Sequence, residues 1–110
     1  MESEESHEHI QVTTTIDDRR KADEIADELV KKDLAACVQV IGPIESTYEW
    51  KGQIERTKEW LCILKSKMIR YREIEKTLKE LHPYDNPEII AQPIVRGSSE
   101  YLGWIDENLE

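Results

Sequence analysis

Residues 82–89 combine side chains that can do chemistry with residues that hold a backbone rigid. Pro83 and Pro87 fix their own φ angles and disfavour helical geometry in the residues before them, so this segment ends one element and directs the next. The imidazole of His82 can bind a proton or a metal ion near neutral pH. The segment is therefore a candidate site, and a simple helix stop is the alternative.

A second set of polar and aromatic residues stands where the predicted strands end. Aromatic side chains with a polar tip often anchor packing at such positions, but beside carboxylates they can also line a ligand cleft. Because these residues lie far apart in the sequence, we expect them to converge only where subunits meet. The candidate inter-subunit cleft comprises Tyr48, Trp50, Lys65, Tyr84, Asp85, Glu88 and Trp104.

Motifs that would indicate catalysis are missing from the sequence. It has no CxxC pair, no HExxH helix, no phosphate-binding glycine loop and no Ser-His-Asp pattern. We therefore assign no catalytic residue and no cofactor-binding residue, and we predict that the protein is not an enzyme.

The chain has 110 residues and a formal net charge of −9. This length suits one compact domain, predicted over residues 10–110, after an acidic tail over residues 1–9 that is predicted to be disordered. The acidic balance disfavours nucleic acid and anionic membranes as partners and favours cations. No apolar stretch reaches the roughly 20 residues of a membrane span, and the N-terminal residues lack the features of a signal peptide. We therefore expect a cytoplasmic protein.

Hydrophobic periodicity predicts alternating strands and helices. Strands are predicted over residues 10–15, 34–48, 54–65 and 88–95, the second of them bent or bulged at Gly42-Pro43. Amphipathic helices are predicted over residues 22–30 and 71–81, and a short last helix follows a cap at Ser98 or Ser99. This β-α-β-β-α-β order with a terminal helix is an α+β, ferredoxin-like arrangement with a long hairpin between its second and third strands.

Three strand segments are apolar at both odd and even positions, namely residues 35–38, 60–64 and 89–91. Right-handed crossovers place both long helices on one face of the sheet, so the other face needs its own cover. We infer a homo-oligomer packed through the sheet. Cover by the last helix alone is the alternative.

Cys37 and Cys62 are predicted to be free. If Lys51-Gly52 forms the centre of the hairpin, Cys37 pairs with Ser66 and Cys62 with Ile41, which separates the cysteines by about 13 Å along the ladder. A disulfide needs Cα atoms within roughly 7 Å of each other. Both thiols lie in apolar strands, so we expect buried, unreactive side chains.

Five short motifs follow one another along the chain. They are Ala35-Ala36-Cys37-Val38; Pro43 followed by Ser46-x-Tyr48-x-Trp50-x-Gly52; Ile63-Leu64-Lys65; His82-Pro83-Tyr84 with Pro87-Glu88-Ile89; and Tyr101-Leu102-x-Trp104-Ile105. Together, over residues 10–109, they resemble the CutA family of divalent-cation tolerance proteins.

The resemblance implies a cytoplasmic homotrimer of ferredoxin-like subunits, akin to PII signalling proteins and without established enzymatic activity. It also implies a role in tolerance to copper and other divalent ions. In a bacterial relative the proposed copper ligands are one cysteine and two histidines, and the matching positions here are Thr14, Leu81 and His82. The resemblance thus implies His82 alone as a metal-ligating residue. The implied ligand is a divalent ion, with copper as the first candidate, that is not tightly bound.

Two functions from different classes are consistent with these observations. The first is a non-enzymatic trimer in the response to divalent metal ions, which it binds weakly through carboxylates and His82. The alternative is a PII-like sensor or scaffold whose inter-subunit clefts bind a small molecule or a partner protein.

Overall fold

The structure is a computed structural model and describes residues 8–109. The predicted α+β order of strands and helices is confirmed. The strands are β1 (His9–Ile16), β2 (Cys37–Trp50), β3 (Gln53–Lys67) and β4 (Ile90–Pro93). The helices are α1 (Arg19–Lys31), α2 (Tyr71–Leu81) and α3 (Ser99–Asn108), and a 3₁₀ turn (Met68–Arg70) precedes α2. Most of the predicted tail, residues 1–7, lies outside the described residues, whereas His9 belongs to β1.

The four strands form one antiparallel sheet in the order β2-β3-β1-β4. β4 lies at an edge, as expected from Pro93, which has no backbone N–H to donate to a neighbouring strand. The predicted extent of this strand, residues 88–95, was too long. Pro87 holds the chain in the preceding loop and Pro93 cannot continue the ladder, so regular pairing with β1 is restricted to Ile90–Pro93.

Helices α1 and α2 cover one face of the sheet and enclose the hydrophobic core. Asp18 caps α1 by accepting hydrogen bonds from the backbone N–H groups of Arg20 and Lys21, at 2.8 and 3.2 Å. Val30, an apolar residue of α1, is half-exposed, because it faces a groove beside Val38 at the sheet edge. The core contains Val12, Ile25, Leu29, Cys62, Leu64, Ile74 and Leu78. No helix in the described part of the chain is long and apolar enough to cross a membrane.

The opposite face of the sheet keeps apolar residues that a single chain covers only in part. Leu61 and Ile63 on β3 are half-buried, while Ile41 and Ile90 on the edge strands are 48% and 53% exposed. Helix α3 covers one end of this face. Tyr101 on α3 is half-exposed, and its ring stacks on that of Trp104.

β2 and β3 form a hairpin of 14 and 15 residues. Lys51 and Gly52 form its two-residue turn with φ angles of +50° and +79°, the left-handed geometry of a type I′ turn. From this turn the strands pair in the predicted register as far as Ile44. A bulge at Gly42-Pro43 then shifts the register, and a Cβ atom on Gly42 would overlap the Trp60 ring.

The bulge corrects the predicted pairing of the cysteines. Cys37 lies opposite Lys65 and Cys62 opposite Val40, each one residue from the predicted partner, because β2 accommodates an extra residue. Both thiols are free, as predicted. Burial raises the pKa of the Cys62 thiol to about 11, so this sulfur stays protonated at neutral pH. Cys37 is only half-buried, because it lies on an edge strand.

Helix α3 is capped by Ser98, as predicted, and is held to the sheet by Asp106. The Ser98 hydroxyl oxygen accepts a hydrogen bond from the Tyr101 N–H at 3.1 Å. His9 Nε2–H donates to Asp106 Oδ1 at 2.8 Å, and Lys67 Nζ lies 3.1 Å from the same oxygen. The hydrogen bond from His9, followed in size by the contact with Lys67, holds the pKa of Asp106 below its usual value.

Asp106→Asn should loosen the docking of α3, because the charged carboxylate is the form that His9 and Lys67 stabilise. A lowered pKa in the folded protein means that this stabilisation is present above the ordinary value of 3.8 and is lost as the pH falls below it. Amide hydrogen exchange in α3 should therefore be faster in the variant at neutral pH, and acidification should reduce the difference. Glu107→Gln removes the same charge from an exposed neighbour and should leave exchange unchanged.

Candidate functional site

His82 ends α2 and begins the proline loop, residues 82–89. Its backbone is extended, and its N–H donates to the Leu78 carbonyl oxygen at 2.9 Å in the last bond of the helix. Pro83 then prevents a further helical turn. The loop then runs alongside β1, where Thr13 Oγ1–H donates to Glu88 Oε2 at 3.3 Å.

Both ring nitrogens of His82 are engaged by the backbone. Nε2–H donates to the Thr15 carbonyl oxygen at 2.8 Å, and Nδ1 accepts the Tyr84 backbone N–H at 3.2 Å. These partners define the neutral tautomer with its proton on Nε2. The side chain is 7% exposed, so the ring ties the proline loop to the end of β1. Direct metal coordination by Nδ1 requires the Tyr84 N–H to be released first.

Tyr84 connects the proline loop to the hairpin. Its hydroxyl donates to Glu59 Oε2 at 2.7 Å, and its ring packs edge-on against His82 with centroids 4.5 Å apart. Burial, and then the hydrogen bond to Glu59, raises the pKa of the Tyr84 phenol, so the phenol remains a donor at neutral pH. Glu59 itself is 6% exposed, which is unusual for a carboxylate.

A cleft of about 980 Å³ lies between the hairpin tip and the proline loop. Tyr48 and Trp50 enter it from β2, and Tyr84 enters it from the loop. No Lys, Arg or His is found among the lining residues, all of which belong to the described range 8–109. The carboxylates of this acidic cleft come from Asp17, Glu49, Glu55, Glu59, Asp85 and Glu88.

The structure brings together five of the seven cleft residues named from the sequence, within one chain. They are Tyr48, Trp50, Tyr84, Asp85 and Glu88. The other two lie elsewhere in this chain. Lys65 Nζ donates to Gln39 Oε1 at 2.7 Å on the sheet, and Trp104 stacks on Tyr101 in α3. Whether a second subunit brings them to the cleft stays a prediction.

Four acidic lining residues were not anticipated from the sequence, namely Asp17, Glu49, Glu55 and Glu59. The hairpin register could have indicated Glu55, because it lies directly opposite Tyr48. Asp17 precedes the Asp18 cap of α1, and its sequence position alone does not indicate a place in the cleft. Nothing in the sequence pattern pointed to Glu59, since its burial depends on a contact with the proline loop.

The carboxylates are spread around the cleft rather than gathered at one point. Within residues 8–109, no three His, Cys, Asp or Glu side chains are close enough together to hold a metal ion. Divalent ions need several oxygen or nitrogen ligands that converge on one position. The described residues therefore do not form a preassembled metal centre, and the cleft attracts cations through its overall negative charge.

A family model described as CutA1 divalent ion tolerance protein matches residues 10–108. A divalent-cation tolerance protein CutA from Thermus thermophilus is 38% identical over 97 residues, which span 88% of this chain and 94% of the relative. The CutA of Archaeoglobus fulgidus is 42% identical over 90 residues, spanning 82% of this chain and 87% of the relative.

A solved structure shares the fold. It is described as the periplasmic divalent cation tolerance protein CutA from Archaeoglobus fulgidus, and it superposes with a TM-score of 0.90 at 39% identity. The superposition covers 93% of this chain and 99% of the other. The similarity therefore extends over nearly the whole described fold.

Proposed function

The chain belongs to the CutA1 divalent ion tolerance protein family, and we propose that it acts in tolerance of divalent metal ions as a non-enzymatic, cytoplasmic homotrimer. The acidic cleft is the observation that carries this proposal, because its carboxylates raise the local concentration of cations. Binding is weak and is shared between these carboxylates and His82, with copper as the first candidate ion.

The proposed assembly uses the sheet face that α1 and α2 leave uncovered. The strand order β2-β3-β1-β4 with both long helices on one face supports a ferredoxin-like subunit. Partly exposed apolar residues on the other face, such as Ile41, Ile63 and Ile90, support packing against further copies. Glu55, Glu59 and Ile63 are an even number of positions apart on β3, so their side chains lie on the same face of the sheet. The cleft therefore adjoins this face and would lie between subunits.

Light scattering tests the assembly directly. At micromolar protein concentration the mass should be three times the chain mass of 12.9 kDa, because the exposed apolar face favours association. A mass near 12.9 kDa would contradict both the packing argument and the proposed inter-subunit cleft.

Calorimetric titration with copper tests the metal role. Affinity should be modest and should fall on acidification, because protonation removes the lone pair with which an imidazole binds a metal. His82→Ala should weaken binding by about ten-fold or more, the size of loss seen when support at a metal site is removed. Circular dichroism should verify that the variant is folded, since His82 is buried.

Removal of residues 1–7 is the matched control, because this segment contains His7, one of the three histidines of the sequence. His9 is retained, since it bonds Asp106. Copper affinity should survive this truncation. Unchanged affinity in His82→Ala together with loss on truncation would assign the ion to the N-terminal segment instead.

The size and lining of the cleft favour a second function, a PII-like sensor or scaffold that binds a small molecule. Its volume of about 980 Å³ suits an organic ligand better than a single ion. Tyr48, Trp50 and Tyr84 provide apolar surface that a metal ion does not need. A panel of metabolites titrated beside the metal panel distinguishes the two functions.

A further inference from the structure

We propose that Tyr84 is a latch that keeps the imidazole of His82 closed to ligands, and that this imidazole becomes accessible when the proline loop moves away from the hairpin. The inference rests on the proposed function in tolerance of divalent ions, because it concerns the regulation of the metal ligand proposed there. Its basis is the pair of contacts that Tyr84 makes, with His82 on one side and with Glu59 on the other.

The free lone pair of His82 is covered by the backbone of Tyr84. Nε2 carries the ring proton and donates it to the Thr15 carbonyl oxygen at 2.8 Å. Nδ1 therefore has the only ring lone pair that can bind a metal ion or attack an electrophile, and it accepts the Tyr84 N–H at 3.2 Å. The Tyr84 ring also packs edge-on against His82. A ligand can reach Nδ1 only after this N–H has moved.

The hydroxyl at the other end of Tyr84 fixes the residue to the hairpin. It donates to Glu59 Oε2 at 2.7 Å, and this carboxylate is almost entirely buried. Hydrogen bonds to charged groups are among the stronger ones in proteins, and loss of the donor would leave the buried carboxylate without this partner. Tyr84 is thus held at two points, so its contact with the hairpin controls access to His82.

The rest of the proline loop contributes little to holding it in place. Residues 82–89 belong to no helix or strand, and the two prolines have no N–H with which to bond. Asp85 and Asn86 are exposed. The further tie from Thr13 Oγ1–H to Glu88 Oε2 is 3.3 Å long and also exposed. Segments with few buried contacts open locally at low cost, so loss of the tyrosine hydroxyl is sufficient to release the loop.

Diethyl pyrocarbonate, which acylates a histidine through a free lone pair, tests the latch without a metal. Tyr84→Phe keeps the ring and removes the hydroxyl. His82 should be acylated about ten-fold faster in this full-length variant than in the parent, the shift expected when a hydrogen bond to a charged group no longer favours the closed loop. Peptide mass spectrometry measures the rate at each histidine, and circular dichroism verifies the fold. His9 should react at an unchanged rate, because it bonds Asp106 at the other end of β1.

Tyr48→Phe is the matched control. It removes a tyrosine hydroxyl from the same cleft, but this hydroxyl bonds Thr57 on the neighbouring strand. The acylation rate at His82 should therefore stay within about two-fold of the parent rate. If Tyr84→Phe fails to fold, Glu59→Gln replaces it. The amide keeps an acceptor for the tyrosine but not the charge, so the rate at His82 should rise by a smaller factor.

Amide hydrogen exchange at position 84 gives a second readout, since this N–H is the group that covers Nδ1. Exchange should be faster in Tyr84→Phe and unchanged in Tyr48→Phe. An unchanged acylation rate at His82 in Tyr84→Phe would overturn the latch, as it would if a neighbouring subunit holds the loop closed. Equal acceleration in both tyrosine variants would also overturn it, because the effect would then not depend on the bond to Glu59.

Copper titration separates the latch from the proposed metal role. If both are correct, Tyr84→Phe should bind copper about ten-fold more tightly than the parent, because a larger fraction of molecules has an accessible imidazole. Faster acylation without copper binding in parent or variant would support the latch and overturn the metal role. Faster acylation with unchanged copper affinity would support the latch and remove His82 from the metal ligands. Copper binding and acylation that are both unchanged would overturn the latch alone.

Discussion

Replacing Trp50 with alanine should cause the protein to dissociate and unfold at a lower denaturant concentration, with a midpoint that depends on protein concentration. Trp50 lies at the tip of the hairpin, where it pairs with Gln53, and the residue is 57% exposed in the single chain. If a neighbouring subunit covers it, truncation costs about 3 to 5 kcal/mol per site. The loss recurs at each symmetry-related contact.

Denaturant curves recorded by circular dichroism at two protein concentrations give the measurement, because dissociation follows mass action. Trp50→Phe keeps an aromatic anchor and should recover most of the lost stability. An alanine variant that stays trimeric with an unshifted midpoint would contradict the burial of Trp50 by a neighbouring subunit. The hairpin tip would then be solvent-exposed, and Trp50 would be free to contact a ligand in the acidic cleft.

The elements of this fold could be predicted because their signals are local. Asp18 and Ser98 cap helices through their own backbone neighbours, and Lys51-Gly52 forms a turn that demands positive φ angles. Pro93 identified an edge strand for the same reason, since a missing N–H is a property of the residue itself.

Register and strand ends could be predicted only in part, because they depend on contacts between distant residues. Gly42-Pro43 indicated a bulge, but its effect on the pairing of Cys37 with Lys65 depends on how Trp60 packs over Gly42. The exposure of Val30 likewise depends on where the sheet edge ends. Periodicity describes one element at a time and contains no such information.

The candidate site could likewise be predicted only where its signals are local. The proline loop was recognisable from residue types. The role of His82, however, depends on the carbonyl oxygen of Thr15, a backbone atom whose position residue types do not indicate. Glu59 is the clearest case. A glutamate in a strand is expected to be solvent-exposed, and only the fold places the Tyr84 hydroxyl against Glu59 and buries most of this residue.

The second large effect is expected in the core, at Leu64. This residue lies on β3, which pairs with both β1 and β2, and it is completely buried beneath α1 and α2. Leu64→Ala removes the contacts of that side chain on all sides and leaves a cavity, because the paired strands cannot move together to fill it. The free energy of unfolding should fall by about 2 to 5 kcal/mol per chain, as measured by denaturant unfolding.

Ile69→Ala is the control, because it also removes a large aliphatic side chain but from a position that is 83% exposed in the 3₁₀ turn. Its cost should stay within about 0.5 kcal/mol, the usual range for surface substitutions. A comparable cost at both positions would mean that Ile69 is covered in the assembly, which would place the 3₁₀ turn at a subunit contact. A small cost at Leu64 would contradict the packing of α1 and α2 on β3, on which the positions of Glu59 and the acidic cleft depend.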